Sequence, residues 1–170
     1  MSTTAVPHRA PLSTGLRIAG AAGATKAVPQ RGSAAAHQQW TQGVALARQG
    51  KALPAAGHFE RACKLSPSVP LYWMNLASAL RKLARYDAAI SAAERAFALD
   101  NTDETACHLL TELLRLNNRE AEALQALQQL HTATPRSPRH WLLQGSLLMT
   151  LGEWQPAALA FLQVLSLIHI

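Results

Sequence analysis

The residues of this sequence that could carry metal or thiol chemistry are seven histidines and two cysteines. We expect none of the histidines to form an i, i+4 pair with another ligand, the spacing that places two ligands on one helix face. Cys107 and His108 are adjacent and would point about 100° apart on a helix. The sequence therefore predicts no metal site, and a buried structural thiol at Cys107. The histidines are His8, His37, His58, His108, His131, His140 and His169.

Motifs for nucleotide binding and for hydrolysis are absent. The sequence contains no GxGxxG, no GxxxxGK[ST] and no GxSxG, so phosphate cradles and nucleophile elbows have no residues to form them. We predict that the chain holds no catalytic residues and no cofactor, and that it is not an enzyme by itself.

Charge and composition exclude several classes of protein. The chain has 170 residues, 49% of them hydrophobic, and a net charge of +6. Residues 1–59 contain six basic residues and no acidic one, whereas residues 60–170 contain ten of each, so a nucleic-acid partner is not predicted for the folded part. No apolar stretch reaches the roughly 18 residues of a membrane span. Two isolated cysteines favour a reducing compartment, and we expect a cytoplasmic bacterial protein.

Two regions of the chain differ in amino-acid composition and periodicity. Residues 1–34 are rich in Ala, Gly, Ser, Thr and Pro and are basic, which predicts a disordered tail. From residue 35 onward Ala and Leu recur with helical periodicity, interrupted at short intervals. We predict helices near 36–49, 53–66, 70–83, 87–99, 104–117, 120–133, 138–151 and 155–168.

The interruptions repeat every 34 residues, giving rows at 36–69, 70–103, 104–137 and 138–170. The eleventh place of each row is Leu (Leu46, Leu80, Leu114, Leu148), and the twentieth is Ala (Ala55, Ala89, Ala123, Ala157). The fifteenth place, between the two predicted helices, holds Gly50, Ala84, Asn118 and Gly152. Each of these can end a helix, Ala84 least well.

This pattern resembles the tetratricopeptide repeat, a helix–turn–helix unit of 34 residues. Rows one and three end with the typical proline, at Pro67 and Pro135. The resemblance implies an all-α, right-handed superhelical solenoid of four repeats over residues 35–170. It also places Trp73, Tyr86, Trp141 and Trp154 in the packing between helices, and leaves Trp40 and Tyr72 partly exposed. The clearest match is row two, with Trp73, Leu76, Ala77, Leu80, Tyr86, Ala89, Ala96 and Leu99.

In such repeats the first helices line a concave groove. Five basic residues here (Arg48, Arg81, Lys82, Arg115 and Arg139) share the groove places with one acid, Glu112. We predict binding of an extended protein or peptide partner with acidic character, whose apolar side chains meet Trp40, Met74 and Leu142. The alternative is a solvated helical face with an accidental basic excess. The predicted groove residues are Trp40, Arg48, Met74, Asn75, Ser78, Arg81, Lys82, His108, Glu112, Arg115, Arg139 and Leu142.

Two branches of the family bear on this prediction. Chaperone-binding members use a carboxylate clamp of Lys and Asn, but Trp40 and Val44 stand in those places. The Ala/Leu-rich sequence looks like the N-terminal repeat arm of bacterial SPINDLY-like O-linked N-acetylglucosamine transferases. Those proteins line the groove with an Asn in the sixth place of each repeat, and only Asn75 matches this pattern here. The alternative function is therefore a substrate-recognition arm whose catalytic domain is missing from this chain.

The last residues, LQVLSLIHI, are apolar. Solenoids need a polar terminal face, so we expect the repeat domain to be truncated at its C-terminus and to self-associate through this uncapped end.

Overall fold

The computed structural model describes residues 32–130 and 136–168, apart from the side chain of Ile168. These residues form eight α-helices and no strand. The helices are α1 (Ala34–Arg48), α2 (Ala52–Leu65), α3 (Pro70–Lys82), α4 (Tyr86–Leu99), α5 (Glu104–Leu116), α6 (Glu120–Gln129), α7 (Pro138–Thr150) and α8 (Trp154–Ile168).

The observed helix bounds lie close to those predicted from the sequence. The first helix begins at Ala34, inside the predicted tail, because the side chain of Ser33 accepts a hydrogen bond from the Ala36 amide and caps it. The sixth ends at Gln129 rather than at residue 133. Residues 1–31 of the predicted tail, and residues 131–135, lie outside the described part of the chain.

Consecutive helices pair into hairpins, and the hairpins stack in chain order. The two helices of each hairpin pack together (α1 with α2, α3 with α4, α5 with α6, α7 with α8), and each second helix packs on the next hairpin's first helix. The first helices α1, α3 and α5 also contact one another in sequence. This nearest-neighbour packing makes the chain an all-α repeat solenoid, as the 34-residue period predicted. No described helix is long and apolar enough to cross a membrane.

Each first helix ends in the same way. Gly50, Ala84, Asn118 and Gly152 all have positive φ, between 55° and 79°. The next residue's amide then donates to the carbonyl of the eleventh-place leucine; for example, the Arg85 amide donates to the Leu80 carbonyl at 3.0 Å. This bond is the six-to-one hydrogen bond of a Schellman cap. The eleventh-place leucine and the fifteenth-place residue of each repeat therefore act together to end the first helix and turn the chain into the second.

Small residues let the two helices of a hairpin approach closely. The twentieth-place alanines are all buried. A Cβ atom placed on Gly43 would lie 2.6 Å from the Phe59 ring, and one on Gly145 would lie 2.6 Å from the Phe161 ring. Hairpins one and four therefore pair a glycine on the first helix with a phenylalanine on the second.

Two aromatic assignments from the sequence were wrong. Tyr72, expected to be partly exposed, is buried at 3% exposure and packs against Trp40 with ring centroids 6.2 Å apart. Trp154, expected in the helix packing, is 66% exposed. Tyr86 holds the same place in row two and packs against the core, because a further hairpin follows it, whereas no described hairpin follows α8.

Candidate functional site

The predicted groove residues all lie on the first helices α1, α3, α5 and α7. Eleven of the twelve are exposed or half-buried, and His108 is the exception. A hydrogen bond within the helix fixes the amide of Asn75, whose Nδ2 donates to the Leu71 carbonyl at 2.8 Å. The predicted groove residues are thus contributed by the first helices of four successive repeats.

Glu112 on α5 joins the helices on either side of it. Its Oε2 accepts a hydrogen bond from Nη1 of Arg81 on α3 at 3.2 Å. Its Oε1 accepts from Nη2 of Arg139 on α7. One carboxylate therefore sits between two guanidinium groups contributed by the neighbouring repeats and pairs with both of them.

The other three groove cations are exposed and make no ion pair with the described residues. They are Arg48, Lys82 and Arg115, at the C-terminal ends of α1, α3 and α5. Long basic side chains in the last turn of a helix are also favoured by the helix dipole. Glu112 thus neutralises part of the basic excess, and the remainder is open to solvent.

Apolar surface accompanies the charges. Trp40 and Met74 are half-buried against the core, and Leu142 is exposed. The ring of His37 lies over Trp40 with centroids 5.2 Å apart, and the Trp40 indole nitrogen is buried without a hydrogen-bond partner among the described residues. Ser78 lies half-buried one turn after Met74 on α3.

His108 is the one predicted groove residue that is buried, at 4% exposure. The ring of His140 from α7 packs against it with centroids 5.9 Å apart. The same place in the other rows holds Trp40 and Met74, which are half-buried, and Leu142, which is exposed. His108 instead belongs to a cluster with Glu104 and His140.

Burial controls the protonation of this cluster. It lowers the pKa of His140 to about 4, helped by the nearby charges of Arg136 and His108. Burial likewise lowers the pKa of His108, although Glu104 opposes the shift. For Glu104, burial favours the neutral acid, but hydrogen bonds from Ser137 outweigh it and lower the pKa. Near pH 7 the cluster therefore consists of two neutral imidazoles and one carboxylate.

The expectation that no histidine forms an i, i+4 pair with another ligand was wrong. Glu104 stands four residues before His108 on α5. His140 comes from α7 and could be added only once the stacking of α5 and α7 was known. Cys107, by contrast, is a fully buried free thiol as predicted, and its Sγ donates to the Ala126 carbonyl at 3.4 Å.

Comparison with known families agrees with this geometry. Two models described as tetratricopeptide repeat match residues 40–104 and residues 80–147. Together they span residues 40–147, more than half of the 170-residue chain. The chain belongs to the tetratricopeptide repeat family. No curated protein matches the sequence.

Solved structures of tetratricopeptide repeat proteins share the fold. A crystal structure of MamA is 20% identical, covers 77% of this chain and 77% of its own, and superposes with a TM-score of 0.71. The first repeat domain of Spaghetti (RPAP3), bound to the HSP90 peptide SRMEEVD, is 20% identical, with coverage of 72% and 99% and a TM-score of 0.63. A thermophilic repeat protein from Thermus thermophilus is 24% identical, with coverage of 78% and 74% and a TM-score of 0.58.

Proposed function

We propose that this tetratricopeptide repeat chain is a protein-interaction module that binds an extended acidic peptide along its first helices. The observation that carries the proposal is the presence of three exposed cations, Arg48, Lys82 and Arg115, that make no ion pair with the described residues. They lie on the first helices of three successive repeats. Arg81 and Arg139 add two further guanidinium groups, both of which are paired with Glu112.

The apolar residues give such a peptide a second kind of contact. Trp40, Met74 and Leu142 hold equivalent places in rows one, two and four, so they recur along the solenoid. An extended chain that follows the stacked first helices would contact both these apolar residues and the basic residues near the C-terminal ends of the same helices. Contacts to side chains of two kinds supply specificity in peptide recognition.

A structural neighbour supports the acidic character of the ligand. The repeat domain of Spaghetti (RPAP3) is solved with SRMEEVD, a peptide with three acidic side chains. The Lys and Asn of the chaperone-binding clamp are replaced here by Trp40 and Val44. We infer that this chain would recognise carboxylates with its own set of cations, centred on α3 and α5.

Charge reversal tests the proposal. The variant Arg48→Glu/Lys82→Glu/Arg115→Glu removes the three unpaired groove cations and leaves the ion pairs of Glu112 in place. The control Arg61→Glu/Lys64→Glu/Arg95→Glu makes the same charge change at exposed residues of the second helices α2 and α4. Fluorescence anisotropy with labelled SRMEEVD as the probe should show binding by the wild type and the control, and loss of binding by the groove variant. Equal binding by the two reversed chains would support a solvated face instead.

The alternative of a SPINDLY-like recognition arm stays a hypothesis. The side chain of Asn75, its one matching groove amide, donates to the carbonyl of its own helix. An acceptor protein of such a transferase would have to displace this bond. Reading the coding DNA beyond Ile170 tests the idea, since a sugar-nucleotide-binding domain there would support it and a stop codon would remove it.

Self-association is a second candidate role, and the surface of α8 favours it. Leu159, Leu162 and Leu165 are exposed at three-residue spacing on this helix, and Trp154 at its start is exposed as well. Exposed apolar surface of this kind drives association. Light scattering of the wild type should show oligomers that dissociate in Leu159→Gln/Leu162→Gln/Leu165→Gln. They should persist in the control Leu53→Gln/Leu65→Gln/Leu99→Gln, which alters exposed leucines of α2 and α4; a monomeric wild type contradicts the role.

We also place the protein in the cytoplasm. Cys63 and Cys107 are both buried free thiols, which is the usual state of cysteine in a reducing compartment. Localisation of the tagged chain by cell fractionation tests this placement.

A further inference from the structure

Glu104, His108 and His140 bring three potential metal ligands together at the junction of repeats three and four. One carboxylate oxygen and one ring nitrogen from each histidine lie within 4.8 Å of one another. Glu104 Oε1 and His108 Nε2 are 3.5 Å apart on successive turns of α5. His140 approaches from the first turn of α7. The three residues therefore come from two helices of different hairpins.

Each histidine of the cluster has a buried ring nitrogen without a hydrogen-bond partner in the described part of the chain. His108 and His140 are 4% and 1% exposed. Nε2 of His108 and Nδ1 of His140 are buried and lack a hydrogen-bond partner among the residues that the structure describes. Leaving a buried polar atom unpaired destabilises the folded chain. Two such nitrogens in a cluster with a carboxylate favour a ligand that accepts lone pairs.

The carboxylate is fixed in position by a neighbour. Oε1 of Glu104 accepts hydrogen bonds from the backbone amide of Ser137, at 3.1 Å, and from its hydroxyl. Outer contacts of this kind orient metal-binding carboxylates in known sites. The side chain of Glu104 is 32% exposed, which leaves the cluster a path to solvent.

We propose that Glu104, His108 and His140 bind a divalent transition-metal ion of the zinc class and thereby tie α5 to α7. Two imidazoles and one carboxylate are a ligand set that Zn²⁺ accepts, with a fourth position left for water. Metal–ligand bonds of about 2.0–2.1 Å require ligand atoms about 3.4 Å apart in a tetrahedron. The three side chains would therefore draw together on binding, by up to about 1.4 Å at the longest separation. The site is separate from peptide binding and does not depend on it.

The charges around the cluster limit its affinity. The nearby positive charge of Arg136 lowers the pKa of His140, and that of Arg139 lowers the pKa of His108. The guanidinium of Arg139 is engaged by Glu112, and that of Arg136 lies over the Trp141 ring, 5.6 Å from its centroid. Both guanidinium groups thus have other partners. The negative charge of Glu104 offsets part of the remaining positive charge around the site.

Titration of the 170-residue chain with zinc chloride, followed by calorimetry, tests the proposal. We expect one Zn²⁺ per chain and a higher melting temperature in its presence, since a ligand that binds only the folded state stabilises it. Cobalt chloride should give the visible absorption of a four-coordinate Co²⁺ ion. Affinity should fall at least about tenfold in Glu104→Gln and in His140→Gln, and should be unchanged in His58→Gln, which alters a histidine bound to Gln39 outside the cluster.

The variants are chosen so that misfolding does not decide the result. Glu104→Gln keeps a side-chain oxygen for Ser137 to donate to and removes only the charge, so it decides the test if His140→Gln loses helicity by circular dichroism. Absence of saturable Zn²⁺ binding would overturn the proposal. So would binding that is as tight in Glu104→Gln as in His58→Gln, because the metal would then sit on other residues.

Discussion

Arg81 on α3 and Glu112 on α5 are joined by an ion pair of 3.2 Å that crosses from one repeat to the next. They are 31 residues apart in sequence, and the solenoid brings them together because α3 and α5 are neighbouring first helices. Glu112 also pairs with Arg139. An internal carboxylate thus occupies the centre of the surface that we propose for acidic ligands.

Removing this carboxylate should strengthen binding. Glu112→Gln frees the guanidinium groups of Arg81 and Arg139 and removes one charge that repels an acidic peptide. Since exposed charge pairs contribute about 0.2–1 kcal/mol, we expect affinity for SRMEEVD to rise about two- to fivefold, measured by anisotropy at low salt. Glu60→Gln, at an exposed position of α2, should change it little. Weaker binding by Glu112→Gln would mean that the carboxylate organises the site rather than competing for it.

A single methyl group should have opposite effects at two helical glycines. Gly43→Ala places its Cβ 2.6 Å from the buried Phe59 ring. Overpacking costs about 1–3 kcal/mol, which exceeds the helix propensity that alanine adds. Gly57→Ala meets no atom within 4 Å and should stabilise by up to about 1 kcal/mol. Urea denaturation measures both, and a Gly43→Ala chain as stable as Gly57→Ala would contradict the close packing of α1 on α2.

Ala84 adopts an unfavourable backbone conformation at the turn after α3. Its φ of 56° lies in the left-handed region, which costs a residue with a Cβ roughly 1–2 kcal/mol. Ala84→Gly should therefore stabilise the chain by about 1 kcal/mol. The matched variant Ala88→Gly, at an exposed site within α4, should destabilise it by a similar amount. Thermal melts of the two variants that shift in the same direction would contradict the assigned turn.

The repeat architecture could be predicted because its signals are local and recur. The leucine and alanine columns mark packing places, and Gly50, Ala84, Asn118 and Gly152 mark the turns, where all four have positive φ. Each row repeats the same physical problem, so a weak signal in one row is supported by the others. Helix bounds followed from these columns almost without structural information.

The site was harder to predict because it depends on contacts between rows. The position of His108 in its repeat does not reveal that the ring of His140 packs against it. The two residues are 32 positions apart in sequence and meet only because α5 and α7 stack in the solenoid. The position of Trp154 in its repeat predicted that its side chain packs between helices. Such packing also needs a following hairpin, and none is described after α8. Of the cluster, only the Glu104–His108 spacing was readable in the sequence.

The two cysteines should be unreactive in the folded chain. Burial raises the pKa of both the Cys63 and the Cys107 thiol to about 12, so the reactive thiolate is scarce at a pH of about 8. We expect a thiol reagent such as Ellman's reagent to modify fewer than one cysteine per chain in minutes under native conditions, and two in denaturant. Rapid native labelling of both would contradict the packing around α2 and α5.

Mapping the peptide on the isotope-labelled chain by nuclear magnetic resonance tests the central claim most directly. Titration with SRMEEVD should shift backbone amides of the first helices α3 and α5, with smaller effects on α1 and α7. The second helices α2, α4 and α6 should be unaffected. Shifts concentrated on the second helices or on α8, or none at all up to millimolar peptide, would contradict the proposal that the first helices form an acidic-peptide groove.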